Sequence, residues 1–475
     1  MSRRMLWPSI GLALLLIVAG LGAFTVYRHF NPSDDGPPHP DSWDKRVAPY
    51  AAQVEKLRGL KFKEPVYVDF LSVKEFKAKV QVKDDDLDDD DRAEIEAYEG
   101  MLRALGLIDA KVDIFKAFNT NSSGGTLAYY SPEDERIRMR GRQLTPANTA
   151  TLVHELTHAL QDQHFDLEDG LNADDDTRAS IFRAVAEGDA SRVEKLWVAD
   201  LPTKKREAVE RSQQKLYDQG MKDLRGVPAF VQASTGAPYA LGEPLSTLAA
   251  AAQGLKGAND LFDDTPTTEE HLLRPFSWLD GKEKAKSVPE VTLTKDEKAV
   301  EDADGDFGAL GWLFMLSERM PVLTALDAAD TWGGDHYRSF TRNDRICVRT
   351  HYRGDTAAGT TTMLNALRTW VAGAPDGTAS VRAKADYLVF SSCDPKRATK
   401  RGSQASVDAL TLVATRSALA AQLVSEAGPA LSTKAAWCFG DRLIREYSIK
   451  QLTSDALPPG FTATAQRISA SCLTA

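Results

Sequence analysis

Residues 152–160 run Leu152-Val153-His154-Glu155-Leu156-Thr157-His158-Ala159-Leu160, and what this stretch becomes decides the fold. On a helix, residues four apart share a face, so His154 and His158 point the same way and can grip one ion. Glu155 lies one residue round from His154, within reach of a water held by that ion. Two imidazoles, a carboxylate base and an open position suit zinc. The context is helical. Thr145-Pro146 predicts a helix start, with a hydroxyl cap and proline in the first turn. Neither Gly nor Pro interrupts Ala147 to Phe165, and Leu152, Val153, Leu156, Ala159 and Leu160 supply an apolar side for burial. The bland alternative is a buried helix with two incidental histidines. Base, spacing and context together count against it.

The stretch from Thr151 to Leu167, TLVHELTHALQDQHFDL, resembles the active-site helix of zincin metallopeptidases. The later Ala186-Glu187-Gly188-Asp189-Ala190 resembles the third-ligand helix of the gluzincin branch, in which a glutamate on a following helix completes the site. The resemblance implies a Zn2+ cofactor, hydrolysis of peptide bonds and a site where two helices meet. More loosely, Ala237-Pro238-Tyr239, Thr265 to Pro275 and Trp332-Gly333-Gly334-Asp335 are similar to segments that accompany the motif in uncharacterised bacterial membrane-anchored, extracytoplasmic proteins.

Two residues compete as third ligand. His164 falls where metzincins place their last histidine, but the glycine that lets their chain turn back is replaced by Gln161. If the helix continues, His164 lies roughly 9 Å further along the axis than His158 and off its face. It then reads as a residue near the helix C-terminus, interacting with the last carbonyls. Glu187 is the better candidate. Asp174-Asp175-Asp176-Thr177 starts a helix, and Ile181, Phe182, Val185, Val193 and Leu196 recur along it at helical spacing. Ala184, Ala190 and Ser191 flank Glu187 on its own face, small enough to let this helix approach the His154 helix. Gly188 in mid-helix costs roughly 1 kcal/mol relative to alanine, which implies a packing reason. Asp189 and Asp166 are candidates to back the histidines.

The net charge of −10 argues against a nucleic-acid partner, and no basic patch with interleaved aromatics occurs. Ser2-Arg3-Arg4 precedes an uncharged run from Met5 to Tyr27, whose Leu/Ile/Val/Ala/Gly-rich core is close to bilayer-spanning length. The flanking charges favour an N-terminus inside and a body outside. The alternative is a signal peptide cleaved near Ala19 to Ala23, which leaves the body secreted. Cys347, Cys393, Cys438 and Cys472 are an even set without paired C-x-x-C spacing. In an oxidising compartment they predict two disulfides, with three pairings open.

Along the chain, Asn31 to Asp41 holds four prolines and reads as an extended linker. Helical patterns cover Arg46 to Leu60, Val73 to Val80 and Asp90 to Leu105. Strands are expected at Val66 to Leu71, Val112 to Phe118, Leu127 to Tyr130 and Arg136 to Arg140. The last two form a hairpin ahead of the His154 helix, whose edge could take an extended peptide by strand addition. The acidic run Asp84 to Asp91 lacks a calcium-loop pattern and reads as solvated. Ala237 to Gly242 reads as a turn, and Thr267 or Thr268 caps a short helix holding His271 and Arg274. The family resemblance makes Tyr239, His271 and Arg274 candidates to stabilise an oxyanion. Beyond Asp304, a helix at Leu310 to Leu323, a turn at Trp332 to Asp335, strands at His336 to Phe340, Ile346 to Tyr352 and Asp386 to Phe390, and helices at Met363 to Val371 and Val407 to Ser425 are expected.

The expectation is therefore an α+β protein. Residues 1–30 form a cytoplasmic tip and transmembrane anchor, and 31–47 a proline-rich linker. Residues 48–300 form a zincin-like metallopeptidase domain, and 301–475 a C-terminal, cysteine-containing α+β lobe. The expected activity is zinc-dependent hydrolysis of peptide bonds in an extracytoplasmic protein or peptide substrate. His154, His158 and Glu187 hold the metal and Glu155 activates water. Two alternatives stand beside it: a catalytically silent zinc-containing envelope protein acting as a binding or scaffold module, and an amidase or other hydrolase using the same metal chemistry, for example on cell-wall peptides.

Overall fold

A computed structural model describes residues 38–473, apart from 174, 282–283, 397–403, 429–430 and 455. The expected membrane helix and the first part of the linker lie outside the described residues. The described chain is α+β, mostly helical, with one mixed and one antiparallel sheet.

The first sheet is built around the helix that carries His154. Helix α1 (Ala48–Arg58), strand β1 (Tyr67–Leu71), α2 (Val73–Val80) and α3 (Asp89–Ala104) come first. Helix α4 (Ile114–Gly125) then leads into β2 (Ala128–Ser131) and β3 (Arg136–Arg140). The sheet order is β1-β3-β2: β1 lies parallel to β3, and β2–β3 is the expected antiparallel hairpin with β2 outermost. Ala128, Ile137 and Met139 of this sheet bury against Val153, Leu156 and Leu160 of α5 (Pro146–Phe165). The strand expected at Val112 to Phe118 is instead the start of α4. Asp113 caps that helix, accepting from the Lys116 N–H, and Ile114 and Ala117 turn into the core at helical spacing. The apolar run fits either period, and the cap decides it.

Helices α6 (Asp176–Asp200), α7 (Thr203–Asp223), α8 (Ala229–Gln253), α9 (Leu255–Asp263) and the one-turn α10 (Glu270–Leu273) follow. The turn expected at Ala237 to Gly242 lies in the interior of α8, with Pro238 and Pro244 both inside the helix. Each proline forfeits a ladder bond. Burial of Tyr239, Leu241, Leu245 and Leu248 outweighs that loss, because α8 is packed against α6 and against α11 (Ala405–Ala427).

The second sheet comprises β4 (Lys298–Gly305), β5 (Trp332–Arg342), β6 (Arg345–Gly354), β7 (Ala379–Ala383) and β8 (Leu388–Cys393), in the order β4-β5-β6-β8-β7 and antiparallel throughout. The turn expected at Trp332 to Asp335 is the start of β5, where buried Asp335 accepts from the indoles of Trp312 and Trp332. The division expected at residue 300 does not interrupt the core. One buried cluster takes in Leu102, Phe182, Leu241, Leu313, Trp370 and Leu410. Near the N-terminus, α3 packs on this second sheet: Arg103 pairs with Asp394 at 2.9 Å and Ser392 donates to the Ala104 carbonyl at 2.6 Å. Helix α11 is long and apolar enough to cross a membrane, but 72% of its most apolar window is buried in the protein. Two disulfides join Cys347 to Cys393, across β6 and β8, and Cys438 to Cys472.

Candidate metal centre

Helix α5 forms as the sequence predicts. Thr145 caps it by accepting from the Asn148 N–H, Pro146 opens it, and its buried stretch includes His154, Glu155 and His158. Helix α6 is capped by Asp175, which accepts from the Arg178 N–H. Gly188 has the packing reason that a mid-helix glycine implies. It lets α6 touch α8 rather than α5: a Cβ at Gly188 would lie 2.1 Å from the Gly242 carbonyl carbon. One at Gly242 would lie 1.8 Å from the Ala184 oxygen. The two helices therefore cross backbone to backbone, which brings Tyr239 of α8 up to Glu187 of α6.

Three donor atoms converge. His154 Nε2 and His158 Nε2 lie 3.1 and 3.0 Å from Glu187 Oε2, and 3.1 Å from each other. Four-coordinate zinc with bonds of roughly 2.0–2.1 Å would set its donors about 3.3 Å apart. The near-equilateral triangle fits a single ion after a small expansion, and the three groups form a set that could hold a metal.

The outer contacts sharpen this. Gln161 donates its amide N–H groups to the Ala186 carbonyl (3.1 Å) and to Asp189 (3.0 Å), which turns its oxygen towards His158 Nδ1 at 2.9 Å. His154 Nδ1 faces Glu194 Oε2 at 3.5 Å, and Gln213 donates to the other Glu194 oxygen at 2.9 Å. With an acceptor bonded behind His158 and a carboxylate facing His154, neutral rings would carry their protons on the outer nitrogens. Neutral rings then aim two Nε2 lone pairs, and Glu187 a third, at one point. Such a donor set requires a cation or extra protons. The protein without a cation takes protons: burial opposes a charge on His154, yet its contacts with Glu187 and Glu194 push it up to about 10. Burial works to raise Glu187 as well, but the charges and hydrogen bonds of His158 and His154 hold it well below the usual carboxylate range.

Glu155 is 2% exposed. Burial raises its carboxyl; the His154 and His158 charges oppose that shift, Glu187 adds to it, and the Tyr130 backbone N–H of edge strand β2 opposes it. Tyr239 stands in the cluster: its hydroxyl donates to Glu187 Oε1 at 2.8 Å and its ring stacks on His154 with centroids 6.1 Å apart. Burial, then the Glu187 charge, holds this phenol well above its ordinary value. The bond leaves Oε2 as the Glu187 oxygen turned to the histidines.

His271 is buried in α10 with Nδ1 2.7 Å from Ser277 Oγ, and Arg274 pairs with Glu270 at 3.5 Å. His164 is exposed at the end of α5, with Nε2 2.8 Å from the Lys61 carbonyl. Of the two acids expected behind the histidines, Asp189 acts one step removed, through Gln161. Asp166 instead caps the short helix Leu167–Leu171 by accepting from the Asp169 N–H. Glu194 was legible but missed, since it lies seven residues, or two turns, past Glu187 on the same face. Gln213 carries no such signal, being brought in by α7. The chain matches no family model, no curated protein and no solved structure.

Proposed function

We propose that this chain is a zinc-dependent hydrolase of peptide bonds, of the gluzincin kind, with an extracytoplasmic body held to the membrane by its N-terminal segment. The reading is carried by the convergence of His154 Nε2, His158 Nε2 and Glu187 Oε2 beside buried Glu155. The two disulfides support an oxidising compartment. His154, His158 and Glu187 would hold the metal. Bound there, zinc would supply Lewis acidity, acidifying a water and polarising a carbonyl. Glu155 takes the proton of the attacking water and returns it to the leaving amine. Glu194 and Gln161 hold the two imidazoles in the tautomer that presents Nε2. Tyr239 orients Glu187 in the resting protein and is the donor best placed to turn to a developing oxyanion. A purely structural metal site has no use for Glu155, which favours an enzyme over a silent binding module.

The test is to incubate the full-length protein with a diverse peptide pool, read new termini by mass spectrometry, and run Glu155→Gln beside it with zinc content measured in both. Cleavage by the wild type, lost by roughly 100-fold or more in Glu155→Gln with zinc retained, is the expected result. Zinc bound without cleavage in either protein refutes the peptidase and favours a binding module.

A further inference from the structure

Arg58 ends α1 and is fully buried. Its Nε donates to Asp189 Oδ2 at 2.6 Å and its Nη1 to Asn259 Oδ1 of α9 at 2.6 Å. Its guanidinium lies 5.7 Å from the ring centroid of Phe165, at the end of α5, and 5.9 Å from that of Phe262. Among the described residues its Nη2 has no partner. A buried arginine is a costly way to dock a helix, since apolar residues of similar volume do so at least as well. What this one touches gives it another use. Asp189 accepts from Arg58 and Gln161 on one oxygen and from Arg192, at 2.7 Å, on the other. Gln161 is therefore fixed between two acceptors, Asp189 and the Ala186 carbonyl, and can turn only its oxygen to His158.

We propose that Arg58 is a positioning residue for the metal centre, acting on His158 through Asp189 and Gln161. If the Gln161 amide flipped, its oxygen would face the Asp189 carboxylate and the Ala186 carbonyl, two repulsive contacts. Its NH2 would then face His158 Nδ1. That would draw the imidazole proton to Nε2 and block the atom that faces Glu187. Arg58 and Arg192 pin the Asp189 oxygens so that the flip stays closed. The docking of α1, which is 131 positions from Asp189 in sequence, thus sets the tautomer of a metal ligand. This inference rests on the metal reading of His154, His158 and Glu187 given above.

The experiment is a zinc titration of the full-length protein against a chromophoric chelator, for wild type, Arg58→Met, Gln161→Leu and the double variant. Losing an outer contact of a ligand costs about 10- to 100-fold in metal affinity, expected here for Gln161→Leu. Arg58→Met is expected to weaken zinc by at least about threefold. The double variant should bind no more weakly than Gln161→Leu alone, because both act on one link. Histidine 15N NMR should show the His158 proton at Nδ1 in the wild type and a mixture of tautomers in Arg58→Met. If Arg58→Met does not fold, Asp189→Asn, which keeps the shape and lets the amide turn, takes its place with the same non-additivity expected. An unchanged zinc affinity with a lowered urea midpoint would make Arg58 purely structural and overturn the proposal. So would weakening that multiplies in the double variant. A wild type that binds no zinc removes the metal reading itself, and this inference with it.

Discussion

Replacing Gly242 with alanine should destabilise the protein, against the ordinary trend. In an open helix the change stabilises by up to roughly 1 kcal/mol, because glycine is the poorer helix former. Here the new Cβ would sit 1.8 Å from the Ala184 carbonyl oxygen and 2.7 Å from its carbon. Both are backbone atoms of α6, so no side chain can swing aside. Helices α6 and α8 must part by on the order of 1 Å to reach van der Waals distance. Overpacking of this kind costs about 1–3 kcal/mol, and a clash with backbone belongs at the upper end. After subtracting the propensity gain, a net loss of roughly 2 kcal/mol remains. The same separation draws Glu187 and Tyr239 apart, since both flank the crossing, and zinc affinity should fall about tenfold or more, which is roughly 1.4 kcal/mol. Urea unfolding followed by circular dichroism, with a parallel zinc titration, measures both. Gly220→Ala in α7 is the control, because a Cβ there meets nothing within 4 Å. It should be neutral or stabilised by up to roughly 1 kcal/mol. If Gly242→Ala behaves like the control and binds zinc normally, the helices do not cross as described.

Zinc content by elemental analysis should vanish in His158→Ala and fall at least tenfold in Glu187→Ala, while His164→Ala keeps it; the reverse pattern for the last two would remove Glu187 as third ligand. Glu269 gives a pH signature. Burial raises its carboxyl from 4.5 to about 7, opposed by the Leu310 N–H and reinforced by Asp335 and Asp306. With the folded pKa above the unfolded one, the unfolded chain sheds its proton first as pH rises. Stability should therefore drop between pH 4.5 and 7 by about 3 kcal/mol and then level off, relative to Glu269→Gln, in urea midpoints taken across that range. Breaking Cys438–Cys472 as the double serine variant opens a span of 34 residues, and should cost about 3–4 kcal/mol in the same assay.

Much of the site was legible because it is local. His154, Glu155 and His158 follow from a four-residue period on one helix, and the Thr145 cap and Pro146 set where that helix begins. Glu187 needed a second helix, but its spacing and small neighbours marked it. The misreadings share a cause: tertiary contacts overrode local grammar. Ala237-Pro238-Tyr239 carries a turn signature, yet it stays helical because α8 is enclosed by α6 and α11. Val112 to Phe118 alternates enough to suit a strand, and only the Asp113 cap and the helical spacing of buried Ile114 and Ala117 decide for α4. Arg58, Gln213 and the Gln161 amide have no local pattern, since their partners lie far along the chain. In the sequence, Gln161 stands out only as the absence of a glycine.

That substitution has a consequence for how the site is made. A glycine at position 161 would release the chain to bring His164 round. Glutamine instead continues α5, sends His164 to the Lys61 carbonyl, and leaves the third donor of the proposed site to another helix. A ligand from a separate helix must be held in place by packing, and the Gly188–Gly242 crossing and the Tyr239 hydroxyl do so. The glutamine side chain is reused behind His158, so one residue both excludes the alternative ligand and orients one of the two retained histidines. The result is a cluster in which three donor atoms converge on one point. Its electrostatics are then strained: Glu155, Glu187 and Glu194 are all buried around two imidazoles. Burial opposes a charge on His154, but its contacts with Glu187 and Glu194 raise it from its ordinary value, and burial raises Glu155. A divalent ion would offset that acidity, and because ligands must bind it deprotonated, affinity should rise with pH as the imidazolium proton is released.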